Sequence, residues 1–235
     1  MTSSSRAAAA PLLADLRNVF GDRLRSVVAY GPRLEGDADA PVACLALVSS
    51  LSAEDLDACA RLSARWARAQ IATPLILPER EFRGSLDAFP LEYGEIIRAH
   101  EDLYGIDPFA QVAISRDDLR RACETQVKSH LVHLRESFIE TGGTPRASGE
   151  LVRTAAPALA ALLRNVARLA DVHSGDRVEA TGQGARVAGL SDSLVSAVLA
   201  FERNSPDGVA DPARLFPEYL AGVEQLAHTV DAWRG

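Results

Sequence analysis

Asp37 and Asp39, in the stretch YGPRLEGDADAPVACLALV (30–48), stand two residues apart just beyond a Gly31–Pro32 turn. That combination invites phosphate and metal chemistry. Backbone N–H groups of a tight glycine turn can approach phosphate oxygens, and carboxylates at alternate positions of a strand face one side and can share divalent cations. The apolar run after the loop holds no such pair. Counted from the turn, the alternate positions there are Val42 and Cys44, neither a hard oxygen ligand, and Pro32 brings neither a hydroxyl nor an N–H. Mg2+ has a place only if Asp37 and Asp39 are drawn into the cleft with a further carboxylate such as Glu92. The Asp, Gly and Pro cluster in EGDADAP reads more simply as a solvated turn.

Other residues offer chemistry at lower specificity. In SLDAFPLEYGEIIRAHEDLYGIDP (85–108), Asp87, Glu92, His100, Tyr104 and Asp107 fall close together, with Glu92 and His100 the first ligand-binding candidates beside Gly31. The plain alternative puts Asp87 in a turn, Glu92 and Glu95 on the solvent side of an edge strand, and Gly105–Pro108 in a tight turn. Arg120, Arg121 and Lys128 would meet phosphate if their helix face lines a cleft, although a solvated face is usual. His130, His133 and Glu136 recur at spacing three, which drifts around a helix, so a boundary histidine paired to a neighbour is expected. Gly182 and Gly184 follow no strand and precede no lysine, so they predict a connection and no phosphate loop. The expectation is therefore no catalytic residue, no bound metal and no cofactor.

These residues need a scaffold, and the hydrophobic pattern predicts one. An amphipathic helix ends near Gly21, and RLRSVVAY and PVACLALVSS read as buried strands flanking the loop. SAEDLDACARLSARWARAQ has a Ser52 N-cap and an apolar face through Cys59 and Trp66, a helix for the sheet to bury. TPLILP is a third strand, and one or two short edge strands are expected in 89–109. Beyond about Val112 the pattern is helical: a long helix through Leu119, Cys123, Val127 and Leu134 stops at TGGTP, and a second carries Leu159, Leu163 and Val166 with Pro157 starting or kinking it. A glycine-rich loop over 173–189, a short helix and a last helix starting near Pro217 complete the expectation. The fold class predicted is an α/β domain over residues 1–112 and an all-α helical bundle over 113–235.

Composition narrows the partners. With 235 residues and 47% of them hydrophobic, the chain can bury a full core. A net charge of −7 argues against the broad basic surface that non-specific nucleic-acid binding needs. Cys44, Cys59 and Cys123 are too few and scattered for a disulfide framework, which fits a reducing cytoplasm. Asp15 and Arg17 interrupt the first apolar run before it could serve as an export signal, and no window reaches the roughly 18 apolar residues of a spanning helix.

The layout of strand, YGPRLEG turn, loop and strand resembles the nucleotidyltransferase superfamily. The blocks SLDAFPLE (85–92) and HEDLYGIDP (100–108), followed by a long helix rich in Arg and Glu, are similar to a group of bacterial nucleotidyltransferase-like proteins in which the acidic pair is often eroded. The resemblance runs from about Leu24 to about Gly143. It implies a degenerate site that binds a nucleotide, another small ligand or a protein partner. It also leaves open a metal-dependent transferase using Asp37 and Asp39. RLADVH (168–173) resembles the Arg-x4-His arrangement of ribonuclease-associated helical domains, which implies a third role, a toxin–antitoxin or ribonuclease-associated component acting through Arg168 and His173. A histidine beside a helix C-terminus is also favoured by the macrodipole alone.

Overall fold

The apolar runs around Val27 and Leu45 form the two central strands of a four-stranded sheet. The computed structural model describes residues 3–172, 174, 176–203 and 211–233. The chain divides into two compact units, Met1–Ser115 and Arg116–Gly235.

In the first unit, α1 (Ser3–Phe20) precedes β1 (Leu24–Tyr30), β2 (Ala43–Val48), α2 (Ala53–Arg68), β3 (Leu75–Pro78), α3 (Glu79–Gly84), α4 (Pro90–Arg98) and β4 (His100–Gly105). The strand order is β3-β2-β1-β4. β1 runs antiparallel to both β2 and β4, and the α2 crossover makes β3 parallel to β2.

Each face of the sheet is covered. On one, Val27, Ala29, Val42, Cys44, Ala46 and Val48 meet Leu12, Leu16 and Phe20 of α1 and Cys59 and Trp66 of α2. On the other, Val28, Leu45 and Leu47 meet Phe82 of α3, Tyr93 and Ile96 of α4, and Phe109. The Phe82 ring stands edge-on to Tyr93 and Phe109, at 5.1 and 5.7 Å between centroids. Buried polar contacts orient the helices. Asp15 accepts hydrogen bonds from Trp66 Nε1 and Arg65, both at 2.9 Å. Ser52 and Asp55 form a capping box on α2, and Asp55 also takes a two-pronged contact from Arg23, which holds its carboxyl well below the usual carboxylate range.

The 89–109 stretch holds an edge strand, β4, as expected, and also a helix, α4, where Glu92 and Glu95 were expected on a strand. Pro90 occupies the first helical turn, where its missing N–H costs nothing, and Leu91 and Ile96 are buried. Gly105 ends β4 at φ +78°, and a Cβ there would stand 2.0 Å from the Arg25 carbonyl oxygen.

The second unit is helical: α5 (Arg116–Glu140), α6 (Pro145–Leu169), α7 (Arg177–Ala188), α8 (Asp192–Glu202) and α9 (Pro212–Asp231). α6 runs through Pro157 and buries Leu159, Leu163 and Val166 completely. Two boundaries depart from the sequence reading. The glycine-rich stretch is mostly α7, capped by the Asp176 side chain, and the last helix starts earlier, at Pro212, capped by Asp211. Gly184 is required by close approach to α6: a Cβ there would lie 1.8 Å from the Leu163 carbonyl oxygen. Arg164, 6% exposed, is paired with Glu202 at 2.9 Å, and Arg177 reaches the same oxygen at 3.1 Å. Among the described residues, no helix is long and apolar enough to cross a membrane.

The two glycines of α7 should respond oppositely to alanine. Gly184→Ala is expected to destabilise by about 1–3 kcal/mol through overpacking. Gly182→Ala, with nothing within 4 Å of the added Cβ, should be neutral or stabilising by up to about 1 kcal/mol. Thermal unfolding followed by circular dichroism reads both.

Candidate functional site

β1 delivers the chain into a turn at Gly31, whose φ of +89° favours glycine. A short helical turn follows. Leu34 N–H donates to Gly31 O, Glu35 N–H and Asp37 N–H to Pro32 O, and Gly36 N–H to Arg33 O. These four amides are spent inside the turn, and Pro32 has none to offer a phosphate. Arg33 Nη1 closes the loop by donating to Ala40 O at 3.0 Å.

The phase of β2 decides which of its residues share a face with Tyr30. Tyr30 pairs with Ala43, Ala29 with Cys44, and Val28 with Leu45. Directly opposed residues share a face, so Ala43 and Leu45 lie with Tyr30 and Val28. Val42 and Cys44, the positions expected from the sequence count, lie instead under α1 and α2 and are fully buried. The alternate pair on the Tyr30 face, Ala43 and Leu45, is equally devoid of carboxylates, and Leu45 is 1% exposed beneath α3 and α4.

β4 extends the same face on the other side of β1. His100 pairs with Tyr30 and Asp102 with Val28, giving cross-strand rows Ala43–Tyr30–His100 and Leu45–Val28–Asp102. His100 Nδ1 lies 3.1 Å from Ile96 O and 3.2 Å from Ile97 O, while Nε2 lies 3.4 Å from Asp107 Oδ1. The imidazole stands edge-on to Phe109, whose N–H donates to Asp107 Oδ1 at 2.7 Å. One ligand atom from each of His100, Asp102 and Asp107 lies within 4.8 Å of the others. Near the turn, Arg98 of α4 is paired with Glu35, whose side chain is 4% exposed, and approaches Glu95 at 3.5 Å. Sequence reading missed this link, because Glu35 and Arg98 sit 63 residues apart with no pattern joining them.

The remaining candidates are accounted for locally. Asp37 Oδ1 accepts the N–H groups of Asp39 and Ala40, both at 3.2 Å, and both aspartates are exposed: this is turn chemistry. Glu92 sits exposed in the first turn of α4, where a carboxylate complements the helix dipole, and not on an edge strand. Arg120 donates to Glu124 at 2.9 Å, Arg121 pairs with Asp118, and Lys128 bridges Glu124 and Asp231. His130 lies 3.1 Å from the Tyr219 hydroxyl, and burial lowers its pKa. Arg168 donates to Asn165 Oδ1 at 3.0 Å; His173 lies outside the described residues. Cys44 and Cys123 are buried free thiols pushed up to about 12 by desolvation, and burial also raises Cys59.

No protein-family model matches the sequence, and no curated protein matches it. Among solved structures the chain is similar to the crystal structure of the spectinomycin adenyltransferase AAD(9) from Enterococcus faecialis with ATP and spectinomycin. The TM-score is 0.59 at 12% sequence identity, over 96% of this chain and 98% of that one. At that identity the likeness is one of fold. The chain has a nucleotidyltransferase-like α/β sheet followed by a helical part.

The thiols give a direct check on the strand phase. In the native protein at pH 8, none of the three cysteines should react with an aromatic disulfide reagent, and all three should react once the chain is unfolded in guanidinium. Fast labelling of Cys44 in the folded state would contradict its placement under α1 and α2.

Proposed function

We propose that this is a nucleotidyltransferase-like pseudoenzyme that binds a small ligand without transferring a nucleotidyl group, with a nucleotide as the first candidate. The observation that carries the reading is that β2 holds no oxygen ligand on either face, neither Ala43 and Leu45 beside Tyr30 nor Val42 and Cys44 under α1 and α2, so two magnesium ions have nothing to bridge them. The related fold that holds ATP and spectinomycin is the reason for placing a nucleotide first. A cytoplasmic setting suits three free cysteines.

The competing reading is a transferase built on Asp37, Asp39 and Glu92. It is disfavoured because Asp37 already accepts two backbone N–H groups of its own loop. With Arg98 and Glu35 paired beside the turn, a bound triphosphate must compete with a buried carboxylate for the guanidinium, so binding is expected to be modest.

Two measurements on the same preparation test the proposal. Incubation with Mg2+ and α-labelled nucleoside triphosphates should label no acceptor, spectinomycin included. Calorimetry should give saturable nucleotide binding that changes less than about twofold in Asp37→Ala/Asp39→Ala, since neither side chain is assigned a ligand contact. Transfer that disappears in that double variant would overturn the pseudoenzyme reading; absence of saturable binding for every nucleotide tried would overturn the choice of ligand.

A further inference from the structure

We propose that His100, Asp102 and Asp107 bind a divalent first-row transition ion, Zn2+ before the others, on the β4 edge of the sheet. This goes beyond the ligand-binding reading and does not depend on it. It also departs from the sequence expectation of no metal, which considered only the turn, β2 and the histidine series of the long helix.

The first support is placement. His100 and Asp102 alternate on β4, so both project to one side, the side of Tyr30, Val28 and Leu45. Gly105, at φ +78°, turns the chain back so that Asp107 joins them, and the Phe109 N–H holds Asp107 in that turn. Three donors from two adjacent segments therefore converge within 4.8 Å. No other group of three or more His, Cys, Asp or Glu residues does so among the described residues.

The second support is the histidine's hydrogen bonding. The carbonyls of Ile96 and Ile97 can only accept, so Nδ1 carries the proton and donates to them. In neutral imidazole, Nε2 then presents its lone pair, and it presents it to a carboxylate oxygen 3.4 Å away. Two acceptors face each other, an arrangement that a cation between them satisfies. A backbone carbonyl fixing the far nitrogen is also the usual device that orients a metal-binding histidine.

The donor set then selects the ion. One imidazole and two carboxylates, with solvent reaching the exposed Asp102, match three protein ligands plus water around zinc. Imidazole disfavours Mg2+ and Ca2+; affinity rises from Mn2+ to a maximum at Cu2+, and three protein ligands plus water favour Zn2+ by geometry. Zinc to nitrogen or oxygen distances are about 2.0–2.2 Å, so the donors must close in by about 1 Å, a movement that the exposed Asp102 side chain can supply. The competing arrangement is an imidazolium paired with Asp107, which needs no ion and makes no use of Asp102.

Calorimetric titration of chelator-treated full-length protein with Zn2+ alone distinguishes the two. The expected result is one site per chain, unaffected by millimolar Mg2+, with affinity reduced at least tenfold in Asp102→Asn and in His100→Ala. Co2+ in place of Zn2+ should give a visible absorption band that Asp102→Asn removes. Asp102→Asn is the decisive variant, because its exposed side chain can change without disturbing the fold, which an unchanged metal-free melting temperature verifies. His133→Ala, altering a surface histidine beside Glu136, should leave binding unchanged. Stoichiometric binding that survives Asp102→Asn, or no binding in the wild type, would overturn the assignment.

Discussion

The structure depends on the antiparallel pairing of β1 with β2, a strand pair buried on both faces. One side is sealed by α1 and α2, the other by α3, α4 and Phe109. Burial of apolar side chains contributes about 25 cal/mol per Å2 removed from water, so a sheet covered twice gains from apolar residues at every position. The same economy leaves no place for ionised carboxylates on β2, since a charge there would be desolvated without a partner. The absence of carboxylates from β2 and the presence of a core on each of its faces thus have one physical cause. Leu45 stands at their junction.

What remains at the turn end of the sheet is polar but differently distributed. β2 contributes Ala43, β1 contributes Tyr30, and β4 contributes His100 and Asp102. On this face the chemistry-bearing side chains, His100 and Asp102, stand on the edge strand and not on the central β2. The loop is held by its own hydrogen bonds and by the Glu35–Arg98 pair, in which a nearly buried carboxylate is neutralised by a guanidinium from α4. Pairing a nearly buried carboxylate of the loop with a guanidinium of α4 makes the link a device for fixing the loop's position.

Much of the scaffold was legible in the sequence. Ser52 with Asp55 announced α2, the period of Leu119, Cys123, Val127 and Leu134 announced α5, and the apolar runs marked β1 and β2. The phase of β2 was not readable, because ACLALV is apolar at every position and alternation carries no signal in a strand covered on both sides. That is why the sequence could not tell which face Val42 and Cys44 take. α4 was mistaken for an edge strand because nine residues are too short for periodicity to separate helix from strand. α7 was obscured by Gly182 and Gly184, although close packing of α7 on Leu163 is what requires glycine at 184. At the site, His100 was legible as a candidate, but its company with Asp102 and Asp107 depends on β-pairing and a glycine turn that no local pattern encodes.

The central claim, that β2 is core on both faces, is tested most directly by the unfolding free energy of Leu45→Asp in denaturant, with and without Mg2+. With Leu45 sealed under Phe82, Tyr93 and Ile96, the substitution should cost at least about 3 kcal/mol, and Mg2+ should restore none of it. A variant about as stable as the wild type, or one that Mg2+ stabilises, would mean that the position still opens onto a metal-binding cleft and would contradict the account.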